Sequence, residues 1–537
     1  MSDVTAPGSD GLVLAGEFPA VTREQWQRLV AKVLGDSGGS DSPERQLATI
    51  TADGIELAPL YVGDAGRPGR PSRGYAGYPG HAPFVRGRTA AGHRGGWDVR
   101  QRHQHPDPAV ARQQITEDLE GGVTSLWLGL GDGQIPIAAL PDVLADVYLD
   151  LAPVVLDAGE RFAEAADVFL STAARRGVPA GELTGCLGAD PLGVLARTGT
   201  SAGGDLDVAA ALARRCQAEV PGVRAIVVDA LPYHDAGATE AQELGCALAV
   251  ALEYLRALRA AGLCADAAFG QLEFRYAATA DQFTTIAKLR AARRVWARVA
   301  EQCNVDSGVA GQRQHAVSSW PMLTRRDPWN NILRATLACF SAGVGGADAI
   351  TVAPFDAALG QPDQLARRVA RNVHALLVDE SHVAQVIDPA GGSWYVEDFT
   401  EQLAARAWAA FQDIERSGGL RAALASGFIA SELAASRTAR RDALARRREA
   451  VTGVSEFPLI GETLLSRPPA AGPAASRFPA AGPAAPRPAA RVRRPPAACR
   501  GSGGRSGTRN SATAATPTRG RPGRRPPSPW RRLTPPA

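Results

Sequence analysis

No run of eighteen uncharged apolar residues occurs in this chain of 537 residues, which argues against a membrane-spanning helix. The opening MSDVTAPGSDG has no basic stretch leading into an apolar one, so no secretory signal is expected and the location expected is cytoplasmic. Cysteine is sparse: the seven, at 186, 216, 246, 264, 303, 339 and 499, form no CxxC or paired spacing. That excludes a disulfide frame and a cysteine zinc site, leaving small apolar residues. Residues 466–537 lack acid altogether, with 15 Arg, no Lys and neither Asp nor Glu. The remaining 44 basic residues face all 55 acidic ones, a net of −11, so the formal +4 belongs to the tail and the body is acidic. The tail's Pro, Ala, Gly, Arg and Ser cannot build a core and are expected to be disordered. Its only stacking groups are Phe478 and Trp530, and no nucleic-acid module is recognisable, so no nucleic-acid partner is expected.

What is present is organised around Val223–Gly262. The run Val223-Arg224-Ala225-Ile226-Val227-Val228-Asp229 reads as a buried strand, followed by a turn through Pro232 and His234 and a long helix rich in Ala, Leu and Glu. The same unit recurs from Trp97 to about Ser381. Strands are expected from Trp97 and at 123–129, 152–157, 183–188, 224–230, 269–276, 314–320 and 348–353. Helices are expected at 108–120, 137–148, 159–176, 206–218, 238–262, 281–302, 329–343 and 363–381. Alternation without adjacent strand pairs means parallel βα units, and eight of each over about 285 residues favour a closed (β/α)8 TIM barrel over an open doubly wound sheet. The expected organisation is an N-terminal helical arm over 1–50, a Gly/Pro-rich lead-in over 51–96, the barrel over 97–382, a helical extension over 383–465 and the tail over 466–537. The arm's helix, Thr22–Leu34, sets Trp26, Leu29, Val30 and Val33 on one face and is too small to fold alone.

Reactive groups of such a barrel belong in the turns after the strands. His103, His105, His234 and Asp356 fall there, a set that a zinc-dependent barrel hydrolase would use. The sixth strand (QLEFRYAA) supplies no histidine and the fourth turn (GADPLG) no bridging lysine, so solvated loop residues are the stronger reading and no metal is expected. The glycine-rich turns at 198–204 and 343–346 match neither the dinucleotide nor the P-loop spacing.

Several segments resemble the barrel domain of methylmalonyl-CoA mutases: YPGHAPFVRG (78–87), WDVRQ (97–101), HDAGATEAQE (234–243), IAKLRAAR (286–293), RATLACFSAGVGGAD (334–348), ARRVARN (366–372) and IDPAGGSWY (387–395). The resemblance runs from about residue 50 to about 460. It implies a barrel threaded by the CoA arm of the substrate, and a radical isomerisation between methylmalonyl-CoA and succinyl-CoA using adenosylcobalamin. By family position, Arg86, Arg100 and His315 are the candidate substrate-binding residues.

The departures from the family pattern are as informative. Pro232 stands where catalytic members have a histidine, and proline can neither donate a hydrogen bond nor carry a proton. Gly92 or His93 replaces a catalytic tyrosine. Gln271 and Glu273 replace an Arg and a Ser, and Glu273 is expected to repel an anionic CoA ester. After Leu465 there is no histidine, so the family's Asp-x-His-x-x-Gly cobalamin loop is absent. The chain thus resembles the small (beta) subunits of the family, notably in DALPYHDAGAT and TRRDPWNNILRATLACFSAGVGGAD. This implies no catalytic residues of its own, a large (alpha) partner subunit that catalyses and binds adenosylcobalamin, a heterodimer, and at most weak acyl-CoA binding. A self-sufficient mutase barrel using a separate cobalamin subunit, and the metal-dependent hydrolase, are the alternatives. The acid-free tail reads as the product of a frameshift.

Overall fold

A computed structural model describes residues 19, 21–34, 42–62, 76–93, 95–200, 205–306 and 308–469; residues 470–537, most of the expected tail, lie outside them. Helix α1 (Arg23–Leu34) is followed by a hairpin of two short antiparallel strands, β1 (Thr49–Ile50) and β2 (Glu56–Leu57). Eight parallel strands then close a barrel: β3 (Asp98–His103), β4 (Ser125–Gly129), β5 (Val154–Asp157), β6 (Gly185–Ala189), β7 (Val223–Asp229), β8 (Leu272–Ala278), β9 (Gln314–Ser318) and β10 (Ala349–Thr351). Closure is made where Ala349 of β10 registers with both Asp98 of β3 and His315 of β9. The outer layer comprises α2 (Pro108–Glu120), α3 (Phe162–Arg175), α4 (Asp205–Glu219), α5 (Glu240–Ala260), α6 (Gln282–Gln302), α7 (Asn330–Val344) and α8 (Gln364–Ala375). Two further helices, α9 (Trp394–Arg416) and α10 (Phe428–Ala445), follow. The expected TIM barrel is the observed fold. No helix among the described residues is long and apolar enough to cross a membrane.

Two expected elements differ. The helix over 137–148 is reduced to one 3-10 turn (Ile137–Ala139) and one α-turn (Leu140–Val143). Pro141 suits the first turn of a new helix but not the interior of one begun at 137, where it would remove an amide donor. The strand expected at 269–276 begins at Leu272, because Ala265–Gly270 winds a helical turn after Cys264.

Close approaches explain several small residues. In β6, Gly188 has φ +69° and a side chain there would strike the Leu156 carbonyl of β5, beside the register shift between β6 and β7. On α5, a Cβ at Gly245 would lie 2.8 Å from the Ala410 methyl of α9, so α9 can seat closely on the outer layer.

Two arginines of α6 sew loops to this layer. Arg290 donates to both carboxylate oxygens of Asp388 at 3.0 Å, and also to Thr400 and Glu397. Arg293 donates to the carbonyls of Phe84, Val85 and Gly345 at 2.8–2.9 Å. Lysine keeps the charge but not the planar fork. Arg290→Lys is therefore expected to lower stability by about 1.5–3 kcal/mol, read from urea unfolding. An unchanged midpoint would show that the fork holds nothing.

Candidate functional site

Alternation along the strands turns Arg100, Arg102, Trp127, Asp157, Asp229, Glu273, Arg275, His315 and Thr351 toward the barrel axis. They fill it in tiers. At the N-terminal end Arg100, 1 % exposed, donates to Glu273 (2.6 Å), Asp98 (3.0 Å) and Ser125 (3.0 Å). The second oxygen of Glu273 meets Arg313 at 3.3 Å. Burial works against the Glu273 charge, but Arg100, Arg313 and Arg224 outweigh it and hold its carboxyl down at about 2.

The middle tier is centred on Trp127. The guanidinium carbons of Arg102 and Arg275 lie 4.3 and 4.2 Å from its ring centroid, and His315 meets it edge-on at 5.3 Å. Arg275 donates to His315 Nδ1 (3.3 Å), so the imidazole proton sits on Nε2 and is directed at Thr351 Oγ1 (2.8 Å). Burial, then Arg100, Arg275 and Arg102, push the basicity of His315 well below its ordinary value. Toward the mouth, Arg102 bridges Asp157 at 3.3 Å, while Arg275 and Arg197 reach Asp229 at 3.1 and 3.7 Å. Trp127, Val155, Cys186, Val227 and Val317 complete an apolar girdle around the axis.

The three candidate substrate residues do not converge. Arg100 and His315 face the axis, each already engaged by its neighbours. Arg86 sits outside the barrel wall, 3.9 Å from the Asp388 that Arg290 holds. The expected repulsion by Glu273 is corrected: Arg100 and Arg313 neutralise that carboxylate. His93 lies 3.7 Å from Asp348 at the N-terminal end of β10, and Pro232 is buried in the short helix Leu231–Asp235 after β7.

The four candidate metal ligands are likewise dispersed. His103 points outward to Asp118 of α2 (3.7 Å), His105 accepts from the Asp107 amide, and Asp356 is held by Arg467 (2.5 Å). Among the described residues no group of three or more His, Cys, Asp or Glu is placed to hold a metal. A constellation that the sequence reading missed surrounds His234. Its Nδ1 is 3.2 Å from Glu243 and its Nε2 2.7 Å from Ser319, while Lys288 donates to the same Glu243 at 2.8 Å. Glu243 also accepts the Ala277 amide. The sequence singles out His234 but not Lys288 on α6 or Glu243 on α5, because helices read separately do not reveal that they face each other. The network pins the turn after β7 to β8 and β9.

Fit to a corrinoid can be tested on the imidazoles of His105 and His234, in turns after strands, and of His315, in the barrel interior. A cobalt ligand needs an unshared nitrogen lone pair. His105 spends that of Nδ1 on the Asp107 amide, and both nitrogens of His234 and of His315 are engaged. None of these three imidazoles therefore offers a free nitrogen to cobalt.

Fold and interior together define an α/β barrel protein whose axial channel is occupied by its own ion pairs and a tryptophan. The profile described as methylmalonyl-CoA mutase matches residues 136–466. The methylmalonyl-CoA mutase small subunit of Streptomyces virginiae is 54% identical over 481 residues, covering 88% of this chain and 76% of that protein. The corresponding small subunit of Propionibacterium freudenreichii subsp. shermanii is 43% identical, covering 86% and 73%. A methylmalonyl-CoA mutase of Rhizobium meliloti is 29% identical, covering 82% and 64%. The chain belongs to the methylmalonyl-CoA mutase family.

Proposed function

We propose that this chain is the non-catalytic small subunit of a heterodimeric, adenosylcobalamin-dependent methylmalonyl-CoA mutase. The large subunit binds the cofactor and interconverts methylmalonyl-CoA and succinyl-CoA. The observation that carries this reading is the axial stack of Arg100–Glu273, Trp127 and Arg275–Asp229, standing where the CoA arm would run. Threading a CoA ester there requires breaking buried charge pairs, which costs several kcal/mol for each ion left unpaired. Pro232 adds to it, since that position can neither donate nor transfer a proton. Substrate contacts by Arg86, Arg100 and His315 are at most residual. The arm supports a docking role: Leu29 and Val33 on the apolar stripe of α1 are 62% and 86% exposed. The compartment proposed is the cytoplasm.

The purified chain is expected to show no mutase turnover with added adenosylcobalamin and no corrinoid absorbance after gel filtration. Co-expression with the large subunit is expected to yield a stable one-to-one complex. Turnover by the chain alone, or no complex with the large subunit, ends this reading.

A further inference from the structure

The outer faces of barrel helices normally carry polar residues. Along α7 the stripe of Trp329 at its N-cap, Leu333 and Leu337, spaced by four, is instead 50%, 63% and 43% exposed. Beside it runs the segment 451–469, whose polar groups face inward. Arg334 of α7 donates to the Thr452 carbonyl (2.6 Å), Glu462 accepts the Asp327 amide (2.6 Å), and Arg467 holds Asp356 and Asp363 (2.5 and 2.6 Å). Pinned in this way, the segment turns Phe457, Leu459 and Ile460 outward, 87%, 64% and 96% exposed. A surface strap would ordinarily have the opposite polarity. Two adjoining elements that both present large apolar side chains form the kind of surface that proteins keep for a partner.

Charge narrows the partner. Arg325 and Arg326, just before α7 in the chain, and Arg446, Arg447 and Arg448, just before the strap, are all exposed, and Arg326 lies 3.7 Å from Glu462 of the strip. Of the carboxylates in the stretch, Glu462 accepts the Asp327 amide and lies beside Arg326, Glu449 pairs with Arg440, and Glu456 remains within the strip. This basic rim stands out on a body whose net charge is −11. A second copy docking face to face would set arginine against arginine, and like-charge juxtaposition is costly. We infer that the strip formed by α7 and residues 454–464 is a docking surface for the large mutase subunit, through a face apolar at its centre and rimmed by carboxylates. This rests on the proposed subunit role and assigns part of that interface.

The test titrates the full-length chain against the large subunit by biolayer interferometry. It compares wild type with Phe457→Asp/Ile460→Asp and with Leu333→Asp, and adds hydrogen–deuterium exchange of the wild-type complex. Because these side chains are exposed, the variants are expected to fold with unchanged melting temperature. They are expected to bind at least about tenfold more weakly, as central apolar contacts do when charged. Exchange at 329–337 and 454–464 is expected to slow in the complex, which keeps a reading if a variant misfolds. No binding by wild type overturns the subunit reading itself. Wild-type binding with variants within twofold and no protection overturns the docking surface alone. It is also overturned if the variants abolish self-association of the chain, or its flotation with phosphatidylglycerol vesicles, while leaving the complex intact.

Discussion

Glu273→Gln is expected to lower stability by about 3–5 kcal/mol at pH 7, the range found when one partner of a buried ion pair is removed. The carboxylate is 1% exposed and meets Arg100 at 2.6 Å and Arg313 at 3.3 Å. Glutamine keeps the shape and leaves Arg100 charged beside Asp98 alone. The pH dependence provides a second reading. The folded-state carboxyl is held at about 2 against an ordinary 4.5, a difference on the order of 3 kcal/mol. A depressed acid contributes stability that is present above pH 4.5 and lost as pH falls toward 2. The gap between wild type and variant is thus expected to close over that window in urea titrations. A constant gap down to pH 2 would assign the cost to packing. The double variant Arg100→Met/Glu273→Gln should recover part of the loss, because Arg100 is then no longer buried without Glu273, while Arg313, Arg224 and Asp98 still lose a partner.

Trp127→Ala is expected to cost about 3–5 kcal/mol, the usual range for removing a large core aromatic. Trp127 is 2% exposed, sits in the axial girdle and lies under both Arg102 and Arg275. The opened space lies on the axis, so the same variant addresses function. If a plugged channel were all that kept the proposed small subunit from acting on substrate, the cavity would admit an acyl-CoA arm. Pro232 and the engaged His315 still provide no proton relay, so binding without turnover is the most that is expected. A melting temperature within a degree of wild type would show that the girdle does not depend on the indole.

Much of the architecture was legible because strands and helices announce themselves by local periodicity. The alternation from Trp97 onward placed all eight barrel strands, and α5, α6 and α7 begin and end within two residues of expectation. Misses fell where two local rules competed. Pro141 broke the 137–148 pattern, and an alanine-rich turn took the first residues of the 269–276 pattern. The site was less legible. Arg100 and Glu273 are 173 positions apart, and whether a lumen carboxylate faces an incoming anion or a neighbouring arginine depends on register around the closed sheet. Arg86 and His315 share a family pattern but lie on opposite sides of the barrel wall.

The residues alone determined the parallel barrel and the family to which the chain belongs, since each depends on pattern along the chain. The tertiary structure decided that the channel is filled and that a strap turns its apolar residues outward. Both follow from which charges meet across strands far apart in the chain, and a carboxylate's effect has no sign until its partner is known.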